Sequence, residues 1–212
     1  MPVITIRGQF GCWANEIGEL IAKKLKLDYV DREIIAGVAE RLRQPQKSIS
    51  EKEMPPTKLM GRIAEALTKI YYMDENFYSE VYSYLWEIPL DDKKYLSGLE
   101  HVIKDLAGSQ SIVILGRGSQ FILKDFPGAF HVMIVAPIEA RVRNVMEKMN
   151  LNEEDARKEI TRFDDGSRGF VKRYFKANIT DPIHYDMVLN TNHLSIESSI
   201  SIIIDAVSSM RN

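Results

Sequence analysis

Cysteine is all but missing from this chain of 212 residues, which carries Cys12 alone. That excludes an internal disulfide and a cysteine-built zinc cluster, and it suits a reducing compartment. An excess of charge of one sign is missing as well, since 28 Lys and Arg stand against 30 Asp and Glu. Nothing in the net charge of −2 points to nucleic acid or to an anionic membrane as partner. No apolar run approaches the roughly 20 residues that cross a bilayer. Met1 to Ile6 has no basic stretch ahead of a long apolar one, so no signal peptide is read there. The expectation is a soluble, cytoplasmic protein that meets neither nucleic acid nor membrane. The histidines, His101, His131, His184 and His193, fall in separate segments without ligand spacing, and no metal site is inferred from them.

What is present is enough apolar material, 45% of residues, for one sizeable core, and a single domain over 1–212 is expected. Val3 to Ile6 is β-branched and bounded by Pro2 and Gly8, which predicts a buried strand. A helix from Ala14 to Leu25 follows, then a turn into a short strand near Tyr29 and a second helix over 32–42. This β-α-β-α order predicts a parallel sheet covered by helices. Residues 43–57 are polar and carry Pro45, Pro55 and Pro56, so they read as a loop. Helical spacing resumes over 59–72, and aromatics crowd the chain to Trp86. They form either a base-stacking wall, a homodimer surface, or plain helical core with tyrosine tips in water.

Tyr95 to Leu106 predicts an amphipathic helix. Ser111 to Leu115 predicts a buried strand that stops at Gly116-Arg117-Gly118. Ligands of open α/β sheets sit beyond the carboxyl ends of strands, which places Arg117 at a functional position. Phe130 to Val135 predicts the next strand, and Ile138 to Met149 a helix behind Pro137. Asn152 to Arg173 is strongly charged and reads as a long helix or a helical hairpin. Asp186 to Asn190 and Ser195 to Met210 give a last strand and a last helix, with Ser195 as a plausible cap.

The stretch from Gly8 to Gly18 couples a strand to a helix through a glycine-containing turn, the layout in which helix N-terminal N–H groups hold phosphate. Its chemistry departs from the G-x-x-x-x-G-K-[ST] loop, because Trp13, Ala14 and Asn15 stand where glycine, lysine and hydroxyl are wanted. Trp13 either fills the phosphate space or points outward and leaves N–H groups free at the helix start. Cys12 lies at a helix N-terminus, which favours a thiolate; the alternative is an inert small residue in a serine position.

Several pieces together resemble the cytidylate kinase-like family of P-loop nucleoside monophosphate kinases. They are Ile4-Thr5-Ile6, Gln9-Phe10-Gly11, Glu16-Ile17-Gly18, Tyr29 to Ile35, Ile112 to Gly118, Arg173-Tyr174-Phe175 and Tyr185 to Thr191 with Leu194-Ser195. The match runs in order along nearly the whole chain and is weakest over 43–86. The resemblance implies a Rossmann-like, three-layer α/β/α P-loop kinase fold. It also implies a helical insertion at about 43–95 and an arginine-bearing lid at about 150–180. It implies transfer of the γ-phosphoryl group of ATP, with Mg²⁺, to a nucleoside monophosphate or another phosphorylated small molecule.

Phosphate binding then falls to Gly8, Gly11, Cys12, Trp13, Ala14, Asn15 and Glu16. Catalytic cations are Arg117, Arg162 and Arg168, since Arg suits bidentate phosphate contacts better than Lys. Acceptor binding falls to Asp31, Arg32, Gly116, Gly118 and Asp164. The family loop runs roughly G-S-G-G-R-E-I-G and the family lid pairs an aspartate with an arginine three residues on. Here Asp164 has Ser167 at that spacing and Arg168 one further, a rotation of about 100° on a helix. Two readings stay open: a working phosphotransferase, or a nucleotide- or phosphometabolite-binding regulator on the same fold.

Overall fold

The computed structural model describes residues 2–31, 93–109 and 111–210. The helix expected over 32–42, the loop over 43–57, the helix over 59–72, the aromatic run to Trp86 and Arg32 lie outside the described residues. The chain divides into two compact units, residues 1–29 with 111–212, and residues 30–110.

In the first unit, strand β1 (Val3–Gly8) leads through a short loop into α1 (Ala14–Leu25) and then to β2 (Asp28–Val30), which ends at the unit boundary. Residues 30–110 are described over Val30, Asp31 and helix α2 (Lys93–Ser109). Leu99, Val102, Ile103 and Leu106 of α2 are buried, the three-and-four spacing of an amphipathic helix. The first unit continues with β3 (Ile112–Leu115), the short α3 (Ser119–Ile122), β4 (Ala129–Val135), α4 (Ile138–Met149), α5 (Glu153–Tyr174), a 3₁₀ turn at Pro182–His184, β5 (Met187–Asn190) and α6 (Ile196–Ser208).

The five strands form one sheet in the order β2-β3-β1-β4-β5. The pairs β1·β3, β1·β4 and β4·β5 are parallel, with Ile4 opposite Val113 and Phe130, and Ile134 opposite Leu189. A parallel sheet is covered on both faces, so its central strands are apolar on both sides. Hence Val3, Ile4, Thr5 and Ile6 are all at most 1% exposed. Ile17 and Ile21 of α1 and Ile200 and Ile203 of α6 close one side against Ile4, Ile6, Val132 and Ile134. Each such side chain contributes roughly 1.5–3 kcal/mol on burial.

The charged stretch forms α5, which runs as one 22-residue helix rather than a hairpin. Asn152 caps it by accepting the Asp155 N–H at 2.9 Å. Its apolar stripe, Ala156 and Ile160, packs against Val142 and Val145 of α4, and Phe10 and Leu151 join that second small core. Phe10 also stacks on Phe163 at 4.7 Å, so the loop after β1 is anchored in the α4–α5 pair. Ser195 does cap α6, accepting from the Ser198 N–H at 3.1 Å.

Candidate functional site

The carboxyl ends of β1 and β3 lie side by side, because the Gly116 N–H donates to the Ile6 carbonyl at 2.9 Å. From β1 the chain turns sharply: Gln9 N–H donates to Ile134 O at 3.1 Å and Cys12 N–H to Gln9 O at 3.2 Å. Gly8 is glycine because an added Cβ would stand 2.2 Å from the Ala14 Cβ. Gly11 has φ +86° and would drive a Cβ to 2.8 Å from the Arg141 carbonyl. Trp13 is the N-cap of α1 and is itself left-handed, at φ 66° and ψ 19°. Bulky residues rarely sit there, at a cost of roughly 1–2 kcal/mol. Its indole is half-buried and packs against the main apolar core.

The loop presents donors. Among the described residues, no hydrogen bond takes up the N–H of Gly11, Trp13, Asn15 or Glu16. Ile17 is the first N–H of the helix to be satisfied inside it, by Trp13 O at 2.9 Å. Ala14 N–H faces the Cys12 sulfur, whose thiol donates to Ile134 O at 3.3 Å. Burial pushes the Cys12 thiol up to about 12 despite that N–H and the nearby Arg7 and Arg141 charges. Cys12 is therefore an inert, neutral thiol, and desolvation outweighs the helix terminus.

One N–H of the loop is taken. Phe10 N–H donates to Asp164 Oδ1 at 3.1 Å, and Arg141 Nη1 holds Asp164 Oδ2 at 2.6 Å and Phe10 O at 3.3 Å. The Arg141 and Asp164 side chains are only 9% and 10% exposed, so this is a buried ion pair spanning α4, α5 and the loop. Asn144 adds a donor to Gly11 O at 2.8 Å, and Thr191 Oγ1 lies 3.4 Å from Cys12 O. Lys148 pairs with Glu16 in the first turn of α1.

After β3, Gly116, Arg117 and Gly118 are three consecutive left-handed residues, at φ 75°, 58° and 66°. Ser119 N–H closes the turn on Gly116 O at 3.1 Å. Arg117 is half-buried there. On α5, Arg162 is 72% exposed and paired with Glu159, and Arg168 is 53% exposed and paired with Asp165. Of the expected site residues, then, Gly8, Gly11, Cys12 to Glu16 and Asp164 come together. Gly116 to Gly118 form the turn beside them, and Arg162 and Arg168 face solvent. Asp31 follows β2 in the second unit.

Four residues escaped sequence reasoning: Arg7, Arg141, Asn144 and Thr191. Arg7 had a signal, a charge inside a β-branched strand. So did Arg141, three residues after Ile138 and one before Val142, on the apolar side of α4. Asn144 and Thr191 act through single hydrogen bonds to loop carbonyls, which no spacing encodes.

A sequence model of the Cytidylate kinase-like family matches residues 3–193. A uronate isomerase of Corynebacterium glutamicum is 27% identical over 99 residues, which are 47% of this chain and 19% of that protein's length. Among solved structures, an uncharacterized protein from Eubacterium ventriosum superposes with a TM-score of 0.65 at 16% identity, covering 99% of this chain and 100% of that one. A gluconokinase from Sinorhizobium meliloti gives 0.50 at 12% identity over 98% and 91% of the two chains. A shikimate kinase from Acinetobacter baumannii, solved with shikimate, gives 0.50 at 13% over 99% and 94%. At such identities these structures speak for the fold alone.

Proposed function

The chain belongs to the cytidylate kinase-like family, and from that premise we propose that it is a phosphotransferase. Residues Gly8 to Glu16 hold the phosphates of ATP, and the γ-phosphoryl group passes to a small acceptor, in the first instance a nucleoside monophosphate of the cytidylate kind. The observation that carries this reading is the set of N–H donors on Gly11, Trp13, Asn15 and Glu16 at the start of a 12-residue helix behind the central strand. Such donors and the helix dipole favour an anion without a side-chain cation.

Phosphoryl transfer needs charge neutralisation and alignment more than covalent chemistry. Arg141 and Lys148 flank the loop where residue 14 is an alanine, and each supplies positive charge to a phosphate on releasing its carboxylate, Asp164 or Glu16. Mg²⁺, when bound with the nucleotide, neutralises phosphate oxygens, and Asn15 offers a carboxamide oxygen where such loops carry a hydroxyl. Arg117, with Gly116 and Gly118, serves the acceptor side. Arg162 and Arg168 serve the transferred group only after releasing Glu159 and Asp165.

One contact favours a second reading. Asp164 already occupies the Phe10 N–H, which suits a nucleotide- or phosphometabolite-binding regulator whose loop opens on demand. Incubation with ATP, Mg²⁺ and each nucleoside monophosphate in turn, followed by phosphorus NMR, separates the two. Diphosphate formation is the expected result. ATP binding by calorimetry without product supports the regulator, and neither binding nor product rejects both.

A further inference from the structure

Arg7 is the last but one residue of β1, and its side chain is turned away from α1. Alternation along a strand puts Ile4, Ile6 and Gly8 on one face and Thr5 and Arg7 on the other. The first face meets α1, as the packing of Gly8 on Ala14 shows. On the second face Thr5 Oγ1 lies 2.8 Å from His131 Nδ1.

Arg7 makes no hydrogen bond and no ion pair with any described residue, and its Nε is sealed from solvent. An arginine cannot escape such a position by losing its proton. Its electrostatic neighbours are Asp164, Tyr185, Cys12 and Arg141. Tyr185 and Cys12 are neutral, because burial raises the pKa of each phenol and thiol. Asp164 is committed to Arg141 and to Phe10 N–H. Two guanidinium groups therefore share one carboxylate, and one positive charge is left over. Arg141 Nε is likewise buried without a partner. Tyr185 is held in place by accepting from Gln120 Nε2 at 3.1 Å and donating to Ile179 O at 2.7 Å. A half-buried charge whose Nε is sealed and unpaired is unfavourable in a folded protein unless something else arrives to pair with it.

We propose that Arg7 is an oxyanion receptor, taking the phosphoryl or carboxylate group of the acceptor substrate on the sheet face opposite α1. The proposal rests on the phosphotransferase reading for the word acceptor, but the anion site stands without it. Arginine is suited to the task because its planar fork meets two oxygens of a phosphate or carboxylate at once. The site is next to the phosphate loop in the chain, so an anion there stands on the opposite side of the strand end from α1.

The test uses the full chain and two probes, inorganic phosphate and acetate, each balanced with sodium chloride at constant ionic strength. Calorimetry and thermal unfolding are run on the wild type, Arg7→Met and Arg7→Lys. Wild type should bind one of the probes and melt higher in its presence. Phosphate in preference identifies a phosphoryl acceptor and acetate in preference a carboxylate one. Arg7→Met should weaken that probe at least ~10-fold and should melt no lower than wild type in its absence, since it removes an uncompensated charge. Arg7→Lys should lie between the two.

A non-hydrolysable ATP analogue should bind wild type and Arg7→Met alike. That keeps the two readings apart: failure of ATP to bind sinks the phosphotransferase and leaves the anion site standing. Equal probe binding by wild type and Arg7→Met overturns the inference, as does the absence of any probe binding to wild type. A lower melting temperature for both variants in probe-free buffer also overturns it, by showing that Arg7 supports the fold.

Discussion

Trp13 concentrates the conflict between fold and chemistry in one residue. A left-handed φ of 66° at the first step into α1 is a glycine's conformation, and tryptophan adopts it because the indole gains apolar contact with the core. Replacing it by glycine relieves roughly 1–2 kcal/mol of backbone strain and gives up roughly 100 Å² of apolar burial at about 25 cal/mol per Å². Trp13→Gly should therefore cost about 1 kcal/mol in urea unfolding while tightening ATP binding in calorimetry. Weaker binding would make the indole a nucleotide contact.

Trp13, Ala14 and Asn15 were legible as departures from a phosphate loop, because spacing alone exposes them. The strain and packing at Trp13 were not, since they depend on a φ angle and on a core assembled from several elements. Arg7 is a similar case: its charge inside a strand is visible in the chain, but its want of a partner is a property of the fold.

At the scale of elements, the loop after β1 is held from above by α4 and α5 through Asp164 and Arg141. Removing one member of a buried ion pair strands the other, at about 3–5 kcal/mol. Asp164→Ala should lower stability by that order, and the double change Arg141→Met with Asp164→Leu should recover most of it. Urea midpoints check both. Asp164 was read from the sequence as an acceptor-side residue by family spacing. Its bond to Phe10 was out of reach, because it joins residues 154 apart. Element boundaries were accessible where apolar period is strong: α4 runs over Ile138–Met149 and α1 over Ala14–Leu25, as periodicity predicts. The charged stretch after Asn152 left hairpin and helix open because charge carries no period of its own, and the Ala156–Ile160 stripe of α5, packed against α4, resolves it.

For the whole molecule, His131, buried in β4 of the five-stranded sheet, makes stability depend on pH. Its imidazole sits beside Thr5 Oγ1 and bonds the Leu123 backbone, and burial lowers its pKa below the ordinary 6.5 although Asp186 pulls it up. The unfolded chain thus takes up a proton near pH 6.5 that the folded protein refuses. Stability from this residue is complete above pH 6.5 and falls as pH drops below it. Urea unfolding between pH 7.5 and 5.5 should show the loss, and His131→Gln should flatten it. A profile equally steep in the variant would assign the acid sensitivity elsewhere.

On the proposed phosphotransferase reading, the hydrogen bond from Phe10 to Asp164 also bears on how much nucleotide fills the loop. A carboxylate fixed to the same chain competes with a phosphate oxygen at an effective concentration that dilution cannot change. The apparent dissociation constant for any ligand needing that N–H is the intrinsic one divided by the fraction of molecules with the contact open. On that phosphotransferase reading, Asp164 thereby works as a built-in threshold: the loop fills only when ligand concentration outruns a competitor that never leaves.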